Sequence, residues 1–450
     1  MMVAFAAALL FAVHPIHTEA VTSIVGRAEL LAAGFLLAAW ILHLNDREVP
    51  ALICLMLALF SKESAIVFLP LVLIGDYLRG EWKPASRYFR IVAVSFVYLG
   101  VLWKVEGGHF GRVDVPLLDN PLGSLTVKWR VLNALRVAWK YVALQLYPAT
   151  LSCDYSFNQL RTYLDWRHTL PATSAAVAVF GVWLRAVWRR QRGLALAGGI
   201  YLAGFAVTAN ILMPIGTVMG ERLAYLPSAG FCLLAALAWS WLCKRQHKLG
   251  LGLLALVVAA LGVRTIVRNR DWRDNLTLWS ADSRAVPDSA KIHVMLGSAY
   301  VDSGQFDPAL KEMEAALKIY PDFPEAMEAY GLLESWKGNY QAAGPMMERA
   351  YYMVHRGYPN YDDMAVNLAG LYVQTNHVEG ALQLLNREIA EAPGYARAWA
   401  NRAVIHYKRG EISAAGIDAT AALRLDPANQ QARNLMQILN ASAQPPRPDR

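Results

Sequence analysis

Cysteine is nearly missing from this 450-residue chain: there are 4, and no two have the spacing of a CxxC metal site or of a disulfide framework. Cys54 and Cys232 sit inside apolar runs, Cys243 ends one beside Lys244 and Arg245, and Cys153 stands alone in a polar loop. Each reads as a small packing residue. Charge is scarce too, at 17% of residues against 56% apolar, which is too little for a single soluble domain. The net charge of +8 is scattered over loops between apolar segments, with no basic stripe interleaved with aromatics, and this excludes a nucleic-acid partner. The first residues make a poor signal peptide, because Met1-Met2 offer no basic n-region and no small-residue cleavage site precedes His14. The apolar stretch 3–13 rises only about 16 Å as a helix, about half a bilayer. It is expected to be part of an incomplete N-terminus, or a short helix completed by protein neighbours.

What is present falls into two populations that change over near residue 270. Apolar runs occupy 28–44, 51–78, 91–103, 171–188, 194–213, 223–243 and 249–267, several long enough to cross roughly 30 Å of hydrocarbon. Residues 271–440 contain none. Basic loops at 79–90, 185–192 and 244–248 are expected on the cytoplasmic side by the positive-inside bias. For 45–50 and 79–90 both to be cytoplasmic, 51–78 must enter and return. The break at Ser61-Lys62-Glu63 then becomes the far tip of a hairpin, the competing reading being one long tilted helix with a buried ion pair. The loops at 14–27, 104–126, 148–170 and 214–222 face the opposite side, and so does the second half of the chain. The stretch 127–147 carries Lys128, Arg130, Arg136 and Lys140, too basic for lipid on all sides, so it lies at the interface or lines a cavity.

The second half repeats. Units starting near 290, 324, 362 and 396 are spaced 34, 38 and 34 residues apart and place Ala309, Ala343, Ala381 and Ala415 at corresponding positions. Small residues where paired helices cross, and Pro321, Pro393 and Pro427 closing units, fit the tetratricopeptide pattern. A helix over 430–440 would cap the array by covering the last apolar face. The expected fold class is therefore all-α. A polytopic transmembrane helical domain over 1–269 and a connector over 270–289 precede an α-solenoid of tetratricopeptide repeats over 290–441, with a disordered tail over 442–450. Such a solenoid either grips an acceptor peptide in its groove or serves as scaffolding.

Chemistry is expected in polar residues at the far membrane surface. His14, His17 and Glu19 fall within six residues with Arg27 close behind, but Pro15 breaks the helix that would align both imidazoles, so zincin geometry is absent and no metal is assigned. The segment orders the surface by hydrogen bonds or touches a phosphate or sugar. Lys62 inside an apolar hairpin needs a partner, either Glu63 or a lipid-linked phosphate, since an unpaired charge there costs at least about 2.5–3.5 kcal/mol. Arg222 suits bidentate phosphate recognition unless Glu221 occupies it. Asp154 and Tyr155, among aromatics in a polar loop, suit sugar or peptide stacking, or simply form a turn.

Together HPIHTEAVTSIVGRAELLAA, LFSKESAIVFLPL, the DNP at Asp119–Pro121, LYPATLSCDYSFN, GERLAYLPSAGFC and RNRDWRDNLTLW, followed by repeats, resemble the transmembrane and TPR-containing O-mannosyltransferases. The resemblance covers nearly the whole chain. It implies a GT-C-like membrane glycosyltransferase that moves a hexose, mannose in eukaryotic members, from a polyprenyl-phosphate carrier to protein Ser or Thr on the periplasmic or luminal face. No cofactor is implied beyond the lipid-linked donor, and the partners are that donor, an acceptor protein in the repeat groove, and membrane lipid. Lys62 and Arg222 would contact phosphate, His14, His17 and Glu19 would shape the pocket, and Asp154 and Tyr155 would line the acceptor side. Family members carry acidic catalytic residues in a first luminal loop, which this chain is expected to lack, so no Asp or Glu is assigned as base and transfer by these residues alone is not expected. Two alternatives stay open: a catalytically incomplete, membrane-anchored TPR scaffold, and a membrane assembly or secretion factor. Ala/Arg/Trp-rich composition and short loops suggest a bacterial inner membrane, with endoplasmic reticulum the eukaryotic counterpart.

Overall fold

The computed structural model describes residues 1–107 and 115–442; the part of the 104–126 loop over 108–114, and the tail from 443, lie outside the described residues. Every regular element among the described residues is helical. The chain separates into two compact units, Met1–Ile292 and His293–Arg450.

Unit 1 begins with α1 (Met2–Val13), a short 3-10 turn Pro15–His17, and α2 (Thr18–Thr22). It continues through α3 (Arg27–Leu44), α4 (Glu48–Ser61), α5 (Phe68–Arg79), α6 (Ala85–Val105) and α7 (Val127–Leu146). Then come α8 (Trp166–Trp188), α9 (Arg192–Ala206), α10 (Tyr225–Arg245), α11 (His247–Asp271) and α12 (Asn275–Ala285). Among the described residues five segments are long and apolar enough to cross a membrane: α3, α6, α8, α10 with the 3-10 turn that precedes it, and α11. The number is six if α1 and the segment Pro15–Thr22, bent by 52°, form one broken span. The first half of the chain is thus that of a multi-pass membrane protein. The stretch 270–289 contains α12, begun by a capping box in which Asp274 accepts from the Thr277 N–H at 2.8 Å.

The interruption of 51–78 is a hairpin. Helix α4 stops at Ser61, Lys62 adopts extended backbone, and α5 starts at Phe68. Its two outer ends come back together: Asp76 on α5 accepts from His43 on α3 and from Tyr88 on α6, both at 2.9 Å. Asp46 pairs with Lys83 at 2.8 Å and with Arg87 at 2.7 Å, and Glu48 at the start of α4 pairs with Arg90. The tip is at the other end, where Lys62 meets Glu29 at the start of α3. Helix α7 is amphipathic, burying Asn133, Val137, Tyr141 and Leu144 on one face.

Unit 2 stacks helix pairs, the first helix beginning three residues before the unit boundary: α13 (Ala290–Asp302) with α14 (Phe306–Ile319), α15 (Pro324–Trp336) with α16 (Tyr340–Met353), α17 (Tyr361–Gln374) with α18 (Val378–Glu391), and α19 (Ala396–Lys408) with α20 (Ile412–Leu425). The first helix of each pair ends on a left-handed residue, Gly304, Gly338, Asn376 or Gly410, which turns the chain back. Ala309, Ala343, Ala381 and Ala415 are fully buried, so the second helix approaches its partner closely. Helix α21 (Gln430–Ser442) closes the stack by packing Ala432 and Leu435 on α19 and α20.

One buried acid in unit 2 makes its stability depend on pH. Glu388 on α18 is 1% exposed, one carboxylate oxygen lies 3.2 Å from Arg356, and the other has no hydrogen-bond partner. Burial, with the Asp362 carboxylate beside it, pushes its carboxyl up to about 7 against the pull of Arg356. Its folded pKa therefore exceeds the unfolded value of about 4.3, so the contribution is full below that value and is lost as pH rises towards 7. Amide hydrogen exchange of α18, corrected for intrinsic rates, is expected to quicken from pH 5 to pH 8, and Glu388→Gln to flatten that change. Equal pH dependence in both proteins would refute the assignment.

Candidate functional site

At the hairpin-tip end of unit 1 the sequence brings four short polar segments together. The first is the bend after α1. Pro15 removes a backbone donor and ends the helix, and His14 caps the turn by accepting from the Ile16 N–H on Nδ1 at 3.2 Å. That fixes the proton on Nε2, which donates to the Gln145 carbonyl at 2.9 Å. His17 Nε2 donates to Ser228 Oγ at 2.6 Å, since the serine hydroxyl is itself spent on the Tyr225 carbonyl. Both imidazoles thus form a buried hydrogen-bonded helix end. Among the described residues no group of three or more His, Cys, Asp or Glu is arranged to hold a metal ion.

Glu19 follows on α2, 1% exposed, and takes Arg222 with both oxygens: the backbone N–H at 2.8 Å and the guanidinium at 2.5 Å. Gly26 closes the next turn so tightly that a Cβ there would lie 2.3 Å from the Ala20 carbonyl oxygen. This brings Glu29 round to face Lys62 at 3.0 Å. Glu29 and Arg222 in turn interact electrostatically, so Glu19, Arg222, Glu29 and Lys62 form one connected charge cluster. The polarity of its exposure matters: the Lys62 and Arg222 side chains are 19% and 28% exposed, while Glu29 and Glu19 are 7% and 1%. Buried carboxylates hold two cations at a rim, each with hydrogen-bond donors to spare for an anion.

Neither cation pairs with its neighbour in sequence. Glu63 is exposed and Arg27 is exposed at the start of α3. Glu221 is fully buried and turns the other way, accepting from the Ser152 N–H and the Tyr155 hydroxyl, both at 2.7 Å. Burial and the Glu221 carboxylate push the Tyr155 phenol well above its ordinary range, so Tyr155 remains the donor. Behind Glu221 lies Arg268, 1% exposed, at 2.8 Å from the fully buried Asp282, which also accepts from the Cys153 N–H at 2.9 Å. Tyr141 on α7 fixes the Gly220 peptide, donating to its carbonyl and accepting from its N–H, each at 3.0 Å.

A second cation completes the loop side. Lys291 binds Asp119 at 2.7 Å and Asp154 at 3.5 Å, and Asp154 also accepts from the Ser156 N–H at 2.6 Å. Burial opposes the charge on Lys291, but Asp154 and Asp119 outweigh it and raise its pKa, so the ammonium persists. Beside it, Asn120 of the DNP motif donates to the Asn210 amide oxygen at 2.7 Å and to the Ile215 carbonyl at 2.8 Å, tying the two loops. Sequence reasoning missed Lys291, Arg268 and Asp282 as parts of this assembly. Lys291 and Asp282 find partners more than a hundred residues away, at Asp119, Asp154 and Cys153. Arg268 stands in the RNRDWRDNLTLW segment and pairs nearby with Asp271 and Asp282, but nothing in that segment marks the pair as buried.

The comparisons agree with this order of parts. Tetratricopeptide repeat models match residues 294–362 and 337–405. A protein O-mannosyl-transferase of Caenorhabditis elegans is 33% identical over 333 residues, covering 72% of this chain and 47% of that protein. The chain is a homologue of the TMTC-family protein O-mannosyltransferases. Mouse TMTC3 is 28% identical to this TMTC homologue over 483 residues, 94% of the chain and 52% of the mouse protein. The TMTC homologue thus spans about half the length of the curated relatives it matches. Among solved structures, the crystal structure of MamA is similar with a TM-score of 0.30 and 19% identity, covering 37% of this chain and 94% of that one.

Proposed function

We propose that the Lys62–Glu29 and Arg222–Glu19 cluster receives the phosphate of a polyprenyl-phosphate hexose, most simply mannose. The chain then serves transfer of that sugar to protein Ser or Thr on the periplasmic or luminal side of a bacterial inner membrane or endoplasmic reticulum. The observation that carries this reading is the meeting of Lys62 and Arg222, 160 residues apart in sequence, at one end of the apolar helices with their positive ends outermost. The departing lipid phosphate gains negative charge as the sugar leaves, and two preorganised cations favour that charge over the intact donor. The names of the relatives supply the sugar and the protein acceptor, and the tetratricopeptide unit supports acceptor binding through its repeats. Neither the general base nor a metal is assigned to any residue of this chain.

The alternative, a membrane-anchored tetratricopeptide scaffold without donor binding, is favoured by one fact: each cation already has a carboxylate partner, so the cluster is neutral without a ligand. Donor binding separates the two. The full chain in nanodiscs is titrated with radiolabelled polyprenyl-phosphate mannose, beside the charge-neutral double variants Lys62→Gln/Glu29→Gln and Arg222→Gln/Glu19→Gln, which avoid stranding a buried carboxylate. Each double variant is expected to bind the donor at least about tenfold more weakly, the effect of losing one charge-assisted contact. Equal binding by all three proteins would leave only the scaffold.

A further inference from the structure

Away from that cluster, two cavities of unit 1 share Trp139, whose indole N–H donates to the Ala172 carbonyl at 2.9 Å and holds α7 against α8. The first, of about 410 Å³, is bordered by Arg136, Lys140, Arg161 and His168 and by no Asp or Glu. Arg136 is committed to the fold: it donates to the Arg161 carbonyl at 3.0 Å and lies over the Tyr163 ring at 4.1 Å. His168 is held by Asp165 at 2.8 Å and stacks on Tyr163. Lys140 and the Arg161 guanidinium, by contrast, have no hydrogen bond or ion pair within the described residues.

The second cavity, of about 160 Å³, carries no charged residue and is walled by apolar side chains of α7, α8 and α9, Leu135, Val179 and Phe205 among them. Its one unusual polar group is the buried Tyr201 hydroxyl, which has no hydrogen-bond partner. A free phosphate would have a use for the first cavity and none for the second, while an apolar molecule would leave unused two cations that have no partner among the described residues. Only an amphiphile uses both, and the apolar cavity is walled in part by α8, long and apolar enough to cross a membrane, and by the shorter apolar helix α9.

We infer that the paired cavities on either side of Trp139 bind an anionic membrane lipid, its phosphate against Lys140 and Arg161 and a hydrocarbon chain against α8 and α9. The site is separate from Lys62 and Arg222 and does not depend on how that cluster is read. Its role follows from its position: the lipid would fasten the interfacial helix α7, and through Tyr141 the Gly220 peptide, to the membrane-crossing helices.

The test uses the detergent-solubilised full chain titrated with phosphatidylglycerol, with phosphatidylcholine and with inorganic phosphate, read by native mass spectrometry and thermal shift. Phosphatidylglycerol is expected to bind at least tenfold more tightly than phosphatidylcholine, and Lys140→Gln/Arg161→Gln to abolish the difference. Arg161→Gln alone, at an exposed position whose side chain makes no hydrogen bond or ion pair among the described residues, keeps the fold and is expected to lose about threefold. Equal binding of the two lipids, unchanged phosphatidylglycerol binding in the variants, or displacement of phosphatidylglycerol by millimolar inorganic phosphate would each overturn the inference.

Discussion

Arg268→Gln is expected to destabilise unit 1 by about 3–5 kcal/mol, the cost of stripping a buried charge of its counter-ion. Arg268 sits 1% exposed at the end of α11, pairing with Asp282 at 2.8 Å and Asp271 at 3.2 Å. Asp271 is partly exposed and can turn to water, whereas Asp282 is fully buried and keeps only the Cys153 N–H. The loss reaches further, because Arg268 is also the cation nearest in effect to the buried Glu221, whose second oxygen has no hydrogen-bond partner. Denaturant unfolding of the solubilised chain, followed by tryptophan fluorescence, measures the change. Adding Asp282→Asn should recover much of the loss, since the amide oxygen still accepts from Cys153 while the stranded charge disappears. A single variant as stable as the parent would show that the pair contributes nothing.

The second large effect is steric. A Cβ on Gly230 of α10 would lie 2.5 Å from the Ala197 carbonyl oxygen and 2.7 Å from the Tyr201 nitrogen of α9. Both atoms are backbone, so no rotamer change relieves the overlap and the two helices must move apart. Gly230→Ala is expected to cost about 1–3 kcal/mol, and Gly230→Val more. Gly100→Ala on α6 supplies the control of opposite sign: nothing lies within 4 Å of its Cβ position, so it should stabilise by about 0.5–1 kcal/mol through helix propensity alone. The same unfolding experiment reads both. If Gly230→Ala were as stable as the parent, or gained stability as Gly100→Ala is expected to, close packing of α9 on α10 would be disproved.

The helical repeats were legible because their signal is local and periodic. Alanines at Ala309, Ala343, Ala381 and Ala415 recur at the spacing of the left-handed residues Gly304, Gly338, Asn376 and Gly410, so sequence and backbone repeat together. The break at Lys62 was legible for a similar reason, two charges in an apolar run. Partners were not. Glu63 and Glu221 look like the natural counter-ions of Lys62 and Arg222, yet Lys62 is in extended backbone, where successive side chains point to opposite sides, and Glu221 and Arg222 share a 3-10 turn, where successive side chains point about 120° apart. Glu221 therefore reaches inward to Ser152 and Tyr155 while Arg222 crosses to Glu19. Which carboxylate meets which cation is decided by the packing of α2, α3 and α10, and that is a tertiary fact.

The two arms of the hairpin have a consequence for depth. Helix α4 has 14 residues and α5 has 12, so they rise about 21 Å and 18 Å, against roughly 30 Å of hydrocarbon. With their outer ends anchored among the basic residues at 79–90, the tip halts roughly 10 Å short of the opposite headgroups. Lys62 and Glu29 then meet inside the hydrocarbon boundary, where each charge is tolerated because the other neutralises it.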